Sequence, residues 1–146
     1  MQKLKSLAIT IGSVLFSWLG ILALPVALLV VGNIADYITG ILASQYRDDP
    51  VSSYKSIKGI YKKVGMWILI FIGWMMDMLI SFTVQHTGIH ISLPFIVATV
   101  VAVWLICNEI ISILENLIDM DVKIPPFLMP MAKMIKRQVE DKTKVE

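Results

Sequence analysis

The chain has 146 residues, of which 57% are apolar and only 16% charged, against about 45–50% and about 25% in an ordinary soluble domain. The excess lies in long uncharged runs separated by short segments that hold nearly all the Lys and Arg, the pattern of a membrane-spanning protein. A net charge of +2 in such a chain sets orientation rather than attracting a nucleic acid, and the sequence holds no nucleotide-binding loop, no metal-ligand spacing of His and Cys, and no nucleophile beside a base. No catalytic, cofactor-binding or metal residue is therefore assigned.

Residues 7–24 carry no charge and follow Lys3 and Lys5. A signal peptide would show a small-residue cleavage site after this run, and none follows, so a first membrane helix is predicted. Residues 25–46 contain a single charge, Asp36, and Gly20 and Pro25 punctuate the long stretch, which predicts two helices joined by a tight turn. The segment from Arg47 to Lys63 is polar and basic, with Lys55, Lys58, Lys62 and Lys63 after Asp48-Asp49-Pro50, and reads as a loop ending in a short basic helix. Residues 64–83 form a third span interrupted by Asp77, and Gln85 to Ile91 a short loop. His86 and His90, four apart in that loop, read as solvated side chains. Ser92 and Pro94 mark the start of a fourth span over 93–114. Cys107, inside that run and without a second cysteine, reads as a buried small hydrophobe.

Past Asp121 the chain is a basic tail. Phe127, Met131, Met134 and Ile135 share one side of a possible helix while Lys133, Lys136 and Arg137 lie on others. An amphipathic helix on an anionic leaflet and a solvated tail are both open at this point. The predicted organisation is thus an all-α polytopic membrane domain over 1–122 and a cytoplasmic tail over 123–146. With four spans, the N-terminus, the 47–63 segment and the tail share one side and hold all 13 Lys and Arg, which makes that side cytoplasmic. A three-span alternative lays the first run on the surface.

Acids at membrane depth are costly unless neutral, paired or facing water. Asp36, Asp77 and Glu109 are therefore the polar or gating candidates, with Asn108, Glu115 and Asn116 gathered near the end of the last span. Asp36 shares a face with Gly32 and Gly40; Gly65, Gly73, Asp77 and Ser81 share one on the third span. Thr10, Ser13 and Ser17 form a narrow small-polar stripe on the first. Small residues at this spacing let helices approach closely. Such stripes either pack helices within one chain or line a lesion between chains.

The runs Asp36-Tyr37-Ile38-Thr39-Gly40, Ser52-Ser53 leading to Ile57-Lys58-Gly59-Ile60-Tyr61-Lys62-Lys63, Asp77, and Asn108-Glu109-Ile110-Ile111-Ser112-Ile113-Leu114-Glu115-Asn116 followed by Ile124-Pro125 resemble, in order and spacing, the phage lysis and toxin-secretion holin family of Gram-positive bacteria and their phages. The resemblance covers about residues 25–128. It implies a non-enzymatic, multi-pass protein of the bacterial inner membrane. Such a protein works in the lipid bilayer as a homo-oligomer and opens lesions through which a cytoplasmic endolysin, its functional partner, or a toxin crosses. Two departures stand out: Asp121 where members have Gly, and Lys123 where a first Pro is common. Asp tolerates left-handed backbone, so the helix end should survive. The Asp48-Asp49-Pro50 insertion lengthens the basic loop.

As a mechanism, Asp36 and Glu109, with Asn108 as hydrogen-bond partner, are expected to form a polar contact that holds a closed state. Loss of membrane potential or crowding would then favour a wetter assembly. A small proton-coupled exporter and an inhibitory, antiholin-like partner are the rival readings.

Overall fold

The computed structural model describes residues 1–47, 53–87 and 95–143. Five helices follow one another: α1 (Gln2–Leu19), α2 (Ala23–Tyr46), α3 (Ser53–Thr87), α4 (Ile96–Asp119) and α5 (Leu128–Thr143), with a single 3₁₀ turn, Gly20–Leu22, between α1 and α2. No strand occurs among the described residues. Three helical runs are long and apolar enough to cross a membrane: Gln2–Tyr46, Ile57–Thr87 and Ile96–Asp119.

The core is a three-helix bundle in which α4 is central and packs on α2, α3 and α5. Its origin is a heptad pattern in each helix. On α4 the seam positions Ala98, Ala102, Leu105, Glu109 and Asn116 are buried, and Cys107 and Leu114 are buried beside them; Leu22 of the 3₁₀ turn and, on α2, Ala23, Leu29, Asn33 and Ala43 are buried, with Val26, Asp36 and Gly40 on the line of Leu22, Leu29, Asn33 and Ala43. On α3, Lys63, Met66, Ile70, Gly73 and Asp77 recur at steps of three and four. This spacing keeps one seam facing the partner helices. The apolar part of the seam, Leu22, Leu29, Met66, Ile70, Ala98, Ala102 and Leu105, is one continuous cluster. The outer faces of α2 and α3 are lined by exposed Leu28, Val31, Phe71 and Leu79, the composition lipid requires.

The break expected near Gly20 and Pro25 falls at Gly20, whose φ of +51° is a backbone that residues with a Cβ rarely adopt. Pro25 lies in the first turn of α2, where its missing N–H costs nothing. The described side chains of α1 are exposed apart from Leu19, and Trp18 reaches Phe95 at 6.4 Å between ring centres.

Two boundaries differ from expectation. The basic segment is not a separate helix: Lys58, Lys62 and Lys63 lie on α3, which runs unbroken for 35 residues. That is roughly 52 Å at ~1.5 Å per residue, well beyond a hydrocarbon core of about 30 Å. Nothing in the sequence from Ser53 to Gly65 breaks a helix, so the change from polar to apolar marks an interface rather than an end. At its other end α3 continues through His86 to Thr87. His86 is on the helix, with Nδ1 2.8 Å from the Phe82 carbonyl oxygen. His90, Ser92 and Pro94 lie outside the described residues.

The end of α4 is a Schellman motif, with Asp121 N–H donating to Ile118 O (2.9 Å) and Val122 N–H to Leu117 O (3.0 Å). Asp121 has φ +58°, so the acid takes the left-handed position expected of it. The tail is helical over α5, which folds back on α4.

Candidate functional site: an ion-bearing helix seam

The heptad seam that buries Leu29 and Leu105 continues toward the Arg47 end of the bundle through polar residues. Lys63 Nζ stands between two acids, 2.8 Å from Asp36 Oδ2 and 2.5 Å from Glu109 Oε2. The side chain of Glu109 is 2% exposed and that of Lys63 18%. Asn33, buried on α2, completes the group: with its amide oriented so that donors meet acceptors, its nitrogen donates to Glu109 Oε2 at 3.2 Å and its oxygen accepts from Trp67 Nε1 at 3.3 Å.

About two turns further along, the buried Asn116 donates through Nδ2 to Thr39 Oγ1 (3.1 Å) and Asp36 Oδ1 (3.3 Å). It accepts from Arg47 Nη2 at 2.8 Å. Arg47 closes the ladder by donating from Nε to Asp119 Oδ2 at 2.6 Å. A connected polar chain therefore runs from Asp119 to Glu109, ten residues or roughly 15 Å along α4. It touches all three core helices. Gly32 permits the close approach, since a Cβ there would lie 3.3 Å from Glu109 Cβ, whereas one on Gly40 would meet Asn116 Nδ2 at an ordinary 3.7 Å.

Electrostatics explains why these groups tolerate burial. Each carboxylate has a cation within hydrogen-bond distance, and a buried charge with its partner removed is strongly destabilising. Two acids share Lys63, with amides on the remaining lone pairs. Polar residues at core positions of a coiled-coil-like seam also fix its register, since a slip would strand them against apolar side chains.

Asp77 solves the same problem differently. Buried on α3, it accepts from the backbone N–H groups of Val97 and Ala98, both at 2.9 Å. These are the free donors at the start of α4, so Asp77 caps a neighbouring helix, where negative charge is favoured. Gly73, one turn earlier, permits the approach: a Cβ there would sit 2.9 Å from Ala98 Cα.

The remaining candidates fall elsewhere. Asn108 does not partner the two acids; that position belongs to Lys63, Asn33 and Asn116. It lines a cleft of about 670 Å³ between α3 and α4 with Lys62, Gly65, Ser112 and Glu115. Ser81 is half-buried on α3. On α1, Thr10 and Ser13 donate to their own helix, at Ser6 O and Ile9 O, and with Ser17 are exposed. Lys58 is exposed, and the side chain of Lys55 lies outside the described residues. Five members of the ladder, Asn33, Thr39, Arg47, Lys63 and Asp119, are not among the polar or gating candidates that the sequence offers. Lys63 was assigned to topology alone, although its step of three to Met66 and seven to Ile70 places it in the seam. Arg47 and Asp119 carry no such signal, because their pairing depends on where α2 and α4 end.

The bundle and its inward-facing ions define a small helical membrane protein whose acids at depth are held by Lys63, by side-chain amides and by backbone N–H groups. The chain belongs to the bacteriophage holin family, whose sequence profile matches residues 13–137. It is 35% identical over 117 residues to an uncharacterized protein of Listeria innocua, covering 80% of this chain and 75% of that one. It is 36% identical over 105 residues to an uncharacterized protein of Listeria monocytogenes (72% and 66%). With an uncharacterized protein of Clostridium perfringens the identity is 30% over 122 residues (83% and 82%). No solved structure matches the chain.

Proposed function

We propose that this protein is a lesion-forming holin: a non-enzymatic protein that oligomerises in the bacterial inner membrane and opens it to a cytoplasmic endolysin or toxin. Family membership supports the class. The observation that carries the mechanism is Lys63 bridging Asp36 and Glu109 inside the bundle. In this reading the ladder holds the helices in a closed packing within each subunit. Hydrated, the same groups stabilise an open assembly, since charges that must pair in a dry seam are solvated in a wet one.

The topology proposed with it is four spans, α1 crossing separately from α2, with both termini and the Arg47–Asp119 end cytoplasmic. The Lys and Arg that precede α5 then lie on or near that side.

The test is induced expression in a bacterium carrying a signal-less murein hydrolase, following culture density and release of a large cytosolic marker. Abrupt lysis that requires both proteins is expected. Continued growth with altered flux of only small ions or drugs would instead indicate an exporter, and delayed killing by another holin an inhibitory partner.

A further inference from the structure

Outside the ion-bearing seam, one cleft combines charge, hydrogen-bonding groups and an apolar wall. It lies between α3 and α4, which run antiparallel, and holds about 670 Å³, within the ~300–1,000 Å³ usual for a small-ligand site. Lys62 and Glu115 stand at its mouth, where the polar and apolar sequence of both helices meet. Leu69 and Asn108 are each seven residues deeper on their own helices, roughly 10 Å toward the centre of a bilayer. Ser112 lies between, and Leu69 with Leu105 makes the inner end apolar.

The seam pairs its polar groups, whereas the cleft leaves its own unpaired. Among the described residues, the side chains of Lys62, Asn108, Ser112 and Glu115 have no ion pair or hydrogen bond to another protein group. Hydrocarbon over the cleft would keep the half-buried amide and hydroxyl unpaired, which is costly at membrane depth. A purely anionic headgroup suits Lys62 but is repelled by Glu115. A headgroup that carries both a phosphate and a primary ammonium satisfies the pair, with the phosphate accepting from Lys62 and the ammonium donating to Glu115. Ester carbonyls follow the phosphate inward, at the level of Ser112 and Asn108, and acyl chains follow the esters, along Leu69 and Leu105. The order of polarity in such a lipid is the order of polarity in the cleft.

We propose that the α3–α4 cleft binds one phospholipid with a zwitterionic, amine-bearing headgroup, of the phosphatidylethanolamine type, from the leaflet at the Arg47 end of the bundle. The site goes beyond the lesion-forming reading and does not depend on it, since it requires only that α3 and α4 span a bilayer. Gly65 keeps the cleft open: a Cβ there meets nothing within 4 Å, so a larger side chain fills the lipid's place without displacing either helix.

The experiment titrates the detergent-solubilised full chain with phosphatidylethanolamine, phosphatidylcholine and phosphatidylglycerol of identical acyl chains, and counts bound lipid by native mass spectrometry. One phosphatidylethanolamine per chain should bind about fivefold more tightly than either of the others. The quaternary nitrogen of phosphatidylcholine has no N–H to give Glu115, and phosphatidylglycerol has no cation. Glu115→Gln should erase the preference, and Lys62→Gln should weaken all three lipids. Gly65→Phe should lose the phosphatidylethanolamine adduct while the thermal midpoint of the lipid-free protein does not fall. Equal binding of the three lipids by the parent, or an adduct retained in Gly65→Phe, would overturn the proposal. So would a lipid-free oligomer of the parent that Gly65→Phe takes apart, because a second copy of the chain would then be the occupant of the cleft.

Discussion

The two ends of the bundle hold buried carboxylates by different means. Toward Arg47, Asp36 and Glu109 share the ammonium of Lys63, a side chain from a third helix. Toward Phe95, Asp77 needs no cation, because it receives two backbone N–H groups from the start of α4. The first arrangement consists of long side chains that can part and hydrate separately. The second is built into the backbone of α4 and requires Gly73 to hold Ala98 at contact distance. In the proposed lesion the Lys63 end is therefore the part suited to change, and the Asp77 end the fixed point about which the helices pack.

That contrast can be broken in steps. Lys63→Ala should have the largest effect. It leaves two acids buried without their cation, a loss of about 3–5 kcal/mol for one broken buried pair, seen as a large drop in the thermal midpoint of the detergent-solubilised protein and an altered onset of lysis. Gly73→Ala comes next, since its Cβ meets backbone rather than a movable side chain. Overpacking of this kind costs about 1–3 kcal/mol, and the midpoint should fall while lysis, in whatever protein inserts, keeps its onset. Asp77→Ala removes the cap of α4 and should cost about 0.5–2 kcal/mol, with Asp77→Asn milder because one acceptor remains. Thr10→Val and Ser13→Ala should change the midpoint by less than about 0.5 kcal/mol, because those hydroxyls bond only to their own helix.

Much of this arrangement was legible before any coordinates. The acids at depth and the glycines beside Asp36 follow from residue chemistry and spacing, and the left-handed Asp121 from the resemblance, which puts a Gly at that position. The partner of the acids did not, because Lys63 borders a polar segment and reads as the last residue outside the membrane. In the folded chain it is the first core residue of the seam, in phase with Met66 and Ile70. A helix that extends beyond the bilayer hides this, since hydropathy marks where lipid begins and not where the helix or its packing face does. The role of Asp77 was hidden for a different reason. Its partners are backbone groups twenty residues away, and no side-chain pattern records where a neighbouring helix begins.

The measurement that tests the central claim most directly is a double-mutant cycle on Lys63→Met and Glu109→Gln, read as thermal unfolding of the solubilised protein. If the buried pair holds the packed state, the two losses are strongly non-additive, with a coupling of about 0.5–3 kcal/mol, and the double variant is closer to the parent than their sum. Simple additivity would contradict the account, because it would mean that Lys63 and Glu109 each act without the other.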